Sequence, residues 1–300
     1  MSIAAAPAAA QSYTVLRGFE IPSFPSAVLV QGSDGDFYGT THGGGANGYG
    51  TVFKITPAGE LTTLHSFAGF PAGAGPDAGL VQGSDGDFYG TTGGGGAGSY
   101  GTVFKITPAG ELTTLYSFAG NDGAFPRGPL VQVSDGDFYG TTPGGGASGY
   151  GTVFKIRPTG ELTTLHSFAG FPVGSSPGAP LVQGTDGDFY GTTGGGGANG
   201  AGTVFKITPA GELTILYSFV GFPDGSGSGA GLAQATDGNF YGTTGGGGVF
   251  GLGTIFKITP AGELTTLYSF KRIEGAHPYA GLIQATDGNF YGTTFDGGAS

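Results

Sequence analysis

Apolar positions in this chain fall in short runs bounded by turn residues, and no stretch carries a helical period. Around residues 79–118 the runs are GLVQ, DFYGTT, TVFKI and ELTTLYSF. TVFKI is rich in β-branched and aromatic residues, the composition of a strand. Between the runs lie SDGD, where Asp and Gly accept a tight turn, and a glycine-rich segment. TPAGE follows, where Pro ends a strand because it has no N–H to donate. The pattern predicts four short strands, the first spanning 79–82.

The same unit returns along the whole chain. DG[DN]FYGTT begins at Asp34, Asp85, Asp135, Asp186, Asp237 and Asp287, at spacings of 51, 50, 51, 51 and 50. GT[VI]FKI begins at Gly50, Gly101, Gly151, Gly202 and Gly253. Four strands per unit of roughly 40 to 50 residues is the signature of a propeller blade. The expected fold is all-β, a β-propeller of about six four-stranded blades over residues 12–294. Tyr13 to Phe19 align with Leu61 to Phe67, so the chain opens on a fourth strand that would complete the last blade. That blade would still lack one strand, because only FDGGAS follows Thr294. The expectation is a natural chain that continues past Ser300, this one being a fragment of a larger propeller, with a last blade of only three strands as the other possibility.

Composition changes the picture in three places. The 68 glycines and 18 prolines reach the level at which low complexity becomes the default, but a period and 13% aromatics argue for a folded array. A net charge of −11 with only 10 Lys and Arg speaks against nucleic acid binding. The absence of cysteine removes disulfide and thiolate chemistry, and no apolar run is long enough for a membrane span. Residues 1–11 read as a signal-peptide remnant or a disordered tail, with Ala8-Ala9-Ala10 as the small-residue cleavage region. Residues 295–300 read as a tail.

The repeats GTVFKITPAGELTTLYSF and GLVQGSDGDFYGTT resemble the Gloeobacter–Verrucomicrobia (GloVer) tandem repeat over about residues 12–294. The resemblance implies secreted or surface bacterial proteins, often with a C-terminal sorting anchor that this chain does not show. It implies no catalytic residues. More distantly, the order of turns and strands is similar to that of virginiamycin B lyase and related propellers, in scaffold positions only.

In a four-stranded blade the connections alternate between two ends. Here SDGD and TPAGE share one end, both tight. The glycine loop and the variable loop after the fourth strand share the other, both long, so a binding face belongs there. Ten of the 14 aspartates lie in SDGD or TDGN turns and five of the seven glutamates in PxGE turns. These carboxylates read as turn formers. Calcium is the weaker alternative: the spacing is not an EF-hand loop, and Asn239 and Asn289 replace the second Asp in two copies. The glycine run lacks the Lys-Ser or Lys-Thr pair and the helix of a phosphate loop.

Tyr49, Tyr100, Tyr150 and Phe250 in the glycine loops are expected to pack over the blade ends, with aromatic contact to a partner as the alternative. The strand lysines Lys54, Lys105, Lys155, Lys206 and Lys257 are expected to pair with blade carboxylates or snorkel. His65 and His166 share a slot with Tyr116, Tyr217 and Tyr268, so they read as packing residues. No Ser-His-Asp order and no metal-ligand cluster is visible, and no cofactor is expected.

The expectation is a secreted or surface binding and display module, not an enzyme. Its partner is unknown, with polysaccharide or a surface protein as candidates. The expected contacts are the large or charged loop residues Phe70, Phe125, Arg127, Phe171, Phe222, Arg272, His277 and Tyr279, the residue types that carry interface energy. One alternative is a propeller lyase or hydrolase drawing on His42, His277 and Glu274. Another is a structural surface-layer element.

Overall fold

The structure, a computed structural model, describes Gly18, Phe24, Pro25 and residues 27–298. The aligned segment 13–19 and the proposed signal remnant therefore lie outside the described residues, Gly18 apart. The described chain is all-β and forms a β-propeller. Five antiparallel sheets each run in the order first, second, third, fourth strand, and a sixth contains two strands, Ile283–Gln284 and Phe290–Tyr291.

The second blade shows how the repeat folds. Its strands are Val81–Gln82, Phe88–Thr92, Thr102–Ile106 and Leu112–Ser117. The first is shorter than the predicted 79–82, pairing only Val81 with Tyr89 and Gln82 with Phe88. The preceding Gly79 is committed to the neighbouring blade, and a Cβ there would lie 3.1 Å from the Val28 carbonyl oxygen. Between the first two strands, the Gly86 N–H donates to Gly83 at φ +87°, a turn that glycine adopts at no steric cost. Asp85 caps the turn by accepting from the Asp87 N–H and from the Tyr89 hydroxyl, the latter at 2.7 Å. Lys105 reaches across from the third strand to Asp87 at 2.8 Å. The acidic turns are thus internally satisfied in the blade, as the turn-forming role requires.

The core lies between blades. Tyr89 stacks on Phe138 of the next blade at 4.0 Å, and Phe118 meets Phe154 of that blade edge-on at 5.3 Å. All four are fully or almost fully buried. The same pairs recur from blade to blade, so each sheet completes its neighbour's core. This is why a single blade is not a stable unit and an array is. Within each four-stranded blade the ends of the two central strands are tied by buried hydroxyls, Thr92 to Thr102 at 2.8 Å.

Candidate functional site

The long loops end on a rim at the start of each first strand. There the chain reads Gly75-Pro76-Asp77 in the second blade and Phe125-Pro126-Arg127 in the third. The rim proline packs where the preceding blade has a glycine: a Cβ on Gly50 would lie 2.6 Å from Pro76 Cδ, and one on Gly101 2.8 Å from Pro126 Cδ. The residue before the proline takes a left-handed backbone, with φ of +61° at Gly75 and Phe125 and +54° at His277. Its N–H donates to the preceding glycine loop, Gly75 to Tyr49 and Phe125 to Tyr100. These bonds place the flanking side chains against the residue that follows each FYGTT strand.

At the first two blades this geometry assembles a charged cluster. His42 follows the first FYGTT strand, and its Nδ1 contacts the Asp77 carboxylate. Arg127 approaches the other Asp77 oxygen through Nε at 3.8 Å. Two glycines leave the room required. A Cβ on Gly75 would lie 3.0 Å from His42 Cε1, and one on Gly93 would lie 3.2 Å from Asp77 Oδ2. The cluster borders a cavity of about 450 Å³, walled by Phe24 and Tyr49 and floored by glycine backbone. Tyr49 is half exposed, and its ring lies on Gly69, where a Cβ would sit 2.9 Å away.

The eight expected contact residues divide into two groups. Phe125, Arg127, His277 and Tyr279 stand on the rim beside the first strands. Only Arg127 among them lines the cavity. Towards the C-terminal end of the chain His277 Nδ1 lies 2.7 Å from the Gly245 carbonyl, and Tyr279 stacks on it and meets Phe295 edge-on at 5.7 Å. Phe70, Phe171, Phe222 and Arg272 stand instead just beyond the fourth strands, where the three phenylalanines are 68 to 74% exposed. They do not join the cavity. Asp77 and Phe24 were not expected at a site. Asp77 carried a signal, being one of only four aspartates outside the repeated turns. His42 and His277, paired in the enzyme alternative, are not brought together by any contact.

Among the described residues no group of three or more His, Cys, Asp or Glu could hold a metal ion, and no helix is long and apolar enough to cross a membrane.

A family model described as the Gloeobacter/Verrucomicrobia repeat matches residues 6–184 and 171–300. The chain belongs to that family. A comparison of this Gloeobacter/Verrucomicrobia repeat chain with curated proteins finds no match. Solved structures similar to it include a gluconolactonase from Xanthomonas campestris, at 15% identity and TM-score 0.53, covering 92% of this chain and 85% of that one. A periplasmic gluconolactonase from Pseudomonas aeruginosa is similar at 20% identity and TM-score 0.56, over 88% and 76% of the two chains. A putative 6-phosphogluconolactonase from Bacteroides uniformis is similar at 19% identity and TM-score 0.59, over 90% and 78%. At these identities the likeness shows the propeller fold and nothing further.

Proposed function

We propose that this Gloeobacter/Verrucomicrobia repeat chain is a secreted or surface-associated binding module, and that the cavity beside His42, Asp77 and Arg127 is its principal site. One observation supports this above others: where the blades differ. Strands and tight turns are near-copies. The residue after the rim proline is Ser26, Asp77, Arg127, Gly178 or Tyr279, and the residue after the FYGTT strand is His42, Gly93, Pro143, Gly194, Gly245 or Phe295. Varied side chains on a rigid scaffold are how binding faces are built.

The test is calorimetric titration with a panel of oligosaccharides, on the native chain and on Gly94→Phe. Gly94 lines the cavity, and a Cβ there meets nothing closer than 3.7 Å. Binding by the native chain and its loss in the variant, at unchanged melting temperature, is the expected result. Undiminished binding in the variant removes the site from the cavity. No binding across the panel sinks the saccharide-binding module.

A second reading, hydrolysis of a lactone or ester, draws on the contact between His42 and Asp77. A base oriented by a carboxylate is a common hydrolytic pairing. With Nδ1–H donated to Asp77, Nε2 is the atom left to take a proton from water as its oxygen adds to the carbonyl. The acyl carbon–ring oxygen bond would then break, with that proton passing from Nε2 to the leaving oxygen, to give the open hydroxy acid. Titrating acid release from gluconolactone above the uncatalysed rate tests it. A rate unchanged in His42→Gln removes His42 from the chemistry.

A further inference from the structure

We infer that the cavity selects sugars that carry a carboxylate, such as a uronic acid residue, with Arg127 as the group that recognises the acid. This rests on the binding reading above and adds the ligand class to it.

The first support is the state of the cations. Each strand lysine is held by a turn carboxylate: Lys54 at 2.8 Å, Lys105 at 2.8 Å, Lys155 at 3.0 Å, Lys206 at 2.7 Å and Lys257 at 3.1 Å. Arg157 is paired with Glu161 on its own turn. Arg127 differs. Only its Nε approaches a carboxylate, at 3.8 Å, and its side chain is 66% exposed. Its terminal nitrogens have no partner among the described residues. Asp77 is engaged on its other oxygen by His42. An acidic chain of net charge −11 thus keeps one guanidinium fork open at the edge of its cavity. A planar fork matches a carboxylate through two parallel hydrogen bonds, which a lysine ammonium cannot reproduce.

The second support is the aromatic part of the lining. Phe24 is 61% exposed and Tyr49 49% exposed, yet Tyr49 is fixed by Gly69 behind it. A held aromatic face packs against the C–H face of a sugar ring and leaves the phenol available for a hydroxyl. The volume of about 450 Å³ lies in the lower half of the range for small-molecule pockets, which suits a ligand of one or two rings. Asp77, the carboxylate of the same lining, is shared between His42 and the Arg127 Nε, so the free end of the guanidinium and one aromatic wall call for a ligand that is anionic at one end and a ring at the other.

Calorimetric titration with digalacturonate and with its methyl ester isolates the charge, because the two probes share shape and ring chemistry. The free acid is expected to bind the native chain at least tenfold more tightly than the ester. In Arg127→Ala that preference disappears and both bind as the ester does. In Arg127→Lys it is reduced. Folding is monitored by melting temperature, which an exposed side chain should leave unmoved. Equal binding of acid and ester overturns this inference while the binding module stands. A preference that survives in Arg127→Ala also overturns it. If neither probe binds, the inference falls, and the neutral panel then decides separately whether the module falls with it.

Discussion

Tyr217 donates its hydroxyl to Asp224, seven residues along in the loop that follows its strand, and that carboxylate also accepts from the Val220 N–H at 3.0 Å. The pairing follows the repeat. Tyr116 donates to Asp122 and Tyr268 to Glu274. Where the loop offers Ala72 or Val173 instead of an acid, the strand slot holds His65 or His166, each edge-on to a core phenylalanine at 5.0 and 4.9 Å. The slot and the loop are one unit, varied together between blades.

Tyr217→Phe therefore removes more than a hydroxyl. Asp224 is buried, and the substitution leaves it with a single backbone donor. Stranding a buried polar group in this way costs about 1–3 kcal/mol. Burial, then Asp224, push the Tyr217 phenol up to about 12, so the bond persists through the neutral range. Urea denaturation should show the unfolding free energy fall by that amount, at a lower midpoint. An unchanged midpoint would mean the loop rearranges to hydrate Asp224.

Stability should fall in two steps on the acid side. Burial holds the His65 and His166 imidazoles below their ordinary value of 6.5. As pH drops below about 6.5 the unfolded chain takes up protons that the folded chain refuses, so stability declines from there towards the folded values. The Tyr38 hydroxyl bond holds Asp34 below its ordinary 3.8, so its contribution, complete above that pH, is lost as pH falls through the folded value. Melting temperature followed from pH 8 to 2 reads both steps. The double variant His65→Phe/His166→Phe should lose the first and keep the second. A native profile flat between about pH 6.5 and 5 refutes the histidine assignment.

On the alkaline side the sign reverses. Burial, then Asp85, raise the Tyr89 phenol above its ordinary 10. Its contribution is complete below 10 and is lost as pH rises beyond it, because the unfolded chain ionises first. Melting temperature should fall above about pH 10, and the phenolate absorbance of the folded protein should lag that of a denatured sample.

Gly140 sits mid-strand for space, not for conformational freedom. A Cβ there would lie 2.6 Å from Phe154 Cζ and 2.8 Å from Leu130 Cδ2, and Gly90, Gly191 and Gly242 repeat the arrangement. Gly140→Ala should overpack the blade and cost about 1–3 kcal/mol. Gly94→Ala, at an open position, is the control and should leave the denaturation midpoint in place.

How much of this was legible follows from the range of each interaction. Strands, tight turns and the lysine–carboxylate pairs recur in register, so the 50-residue period exposed them. The Tyr217–Asp224 link was within reach too, since slot and loop vary together over a few residues. His42 and Asp77 are 35 residues apart and belong to different blades. Nothing local ties them, and only rim geometry brings them together. The sequence assigns the eight expected contacts to the same long loops but not to positions across the blade. Each loop in fact starts beyond the fourth strand and ends beside the first, which separates Phe70 from Arg127.

Gly75 offers a test of that rim geometry without touching a charged group. Its φ of +61° is one that a side chain rarely adopts, yet Phe125, Ser176 and His277 hold the same rim position at +61°, +57° and +54°. The backbone there accepts an L-residue, so Gly75→Ser should fold and lose no more than about 1–2 kcal/mol. The new Cβ, however, falls 3.0 Å from His42 Cε1, closer than the ring can tolerate unmoved. His42 must then swing off Asp77, while Arg127, on the other carboxylate oxygen, stays. Nitrogen-detected NMR of the imidazole reads this directly. The native chain should show a single tautomer with the proton on Nδ1, and Gly75→Ser should show tautomers mixed as in free histidine. A variant that keeps the Nδ1–H tautomer would mean that Asp77 moves with the ring, and that the cluster is a mobile pair rather than one set by the glycine beneath it.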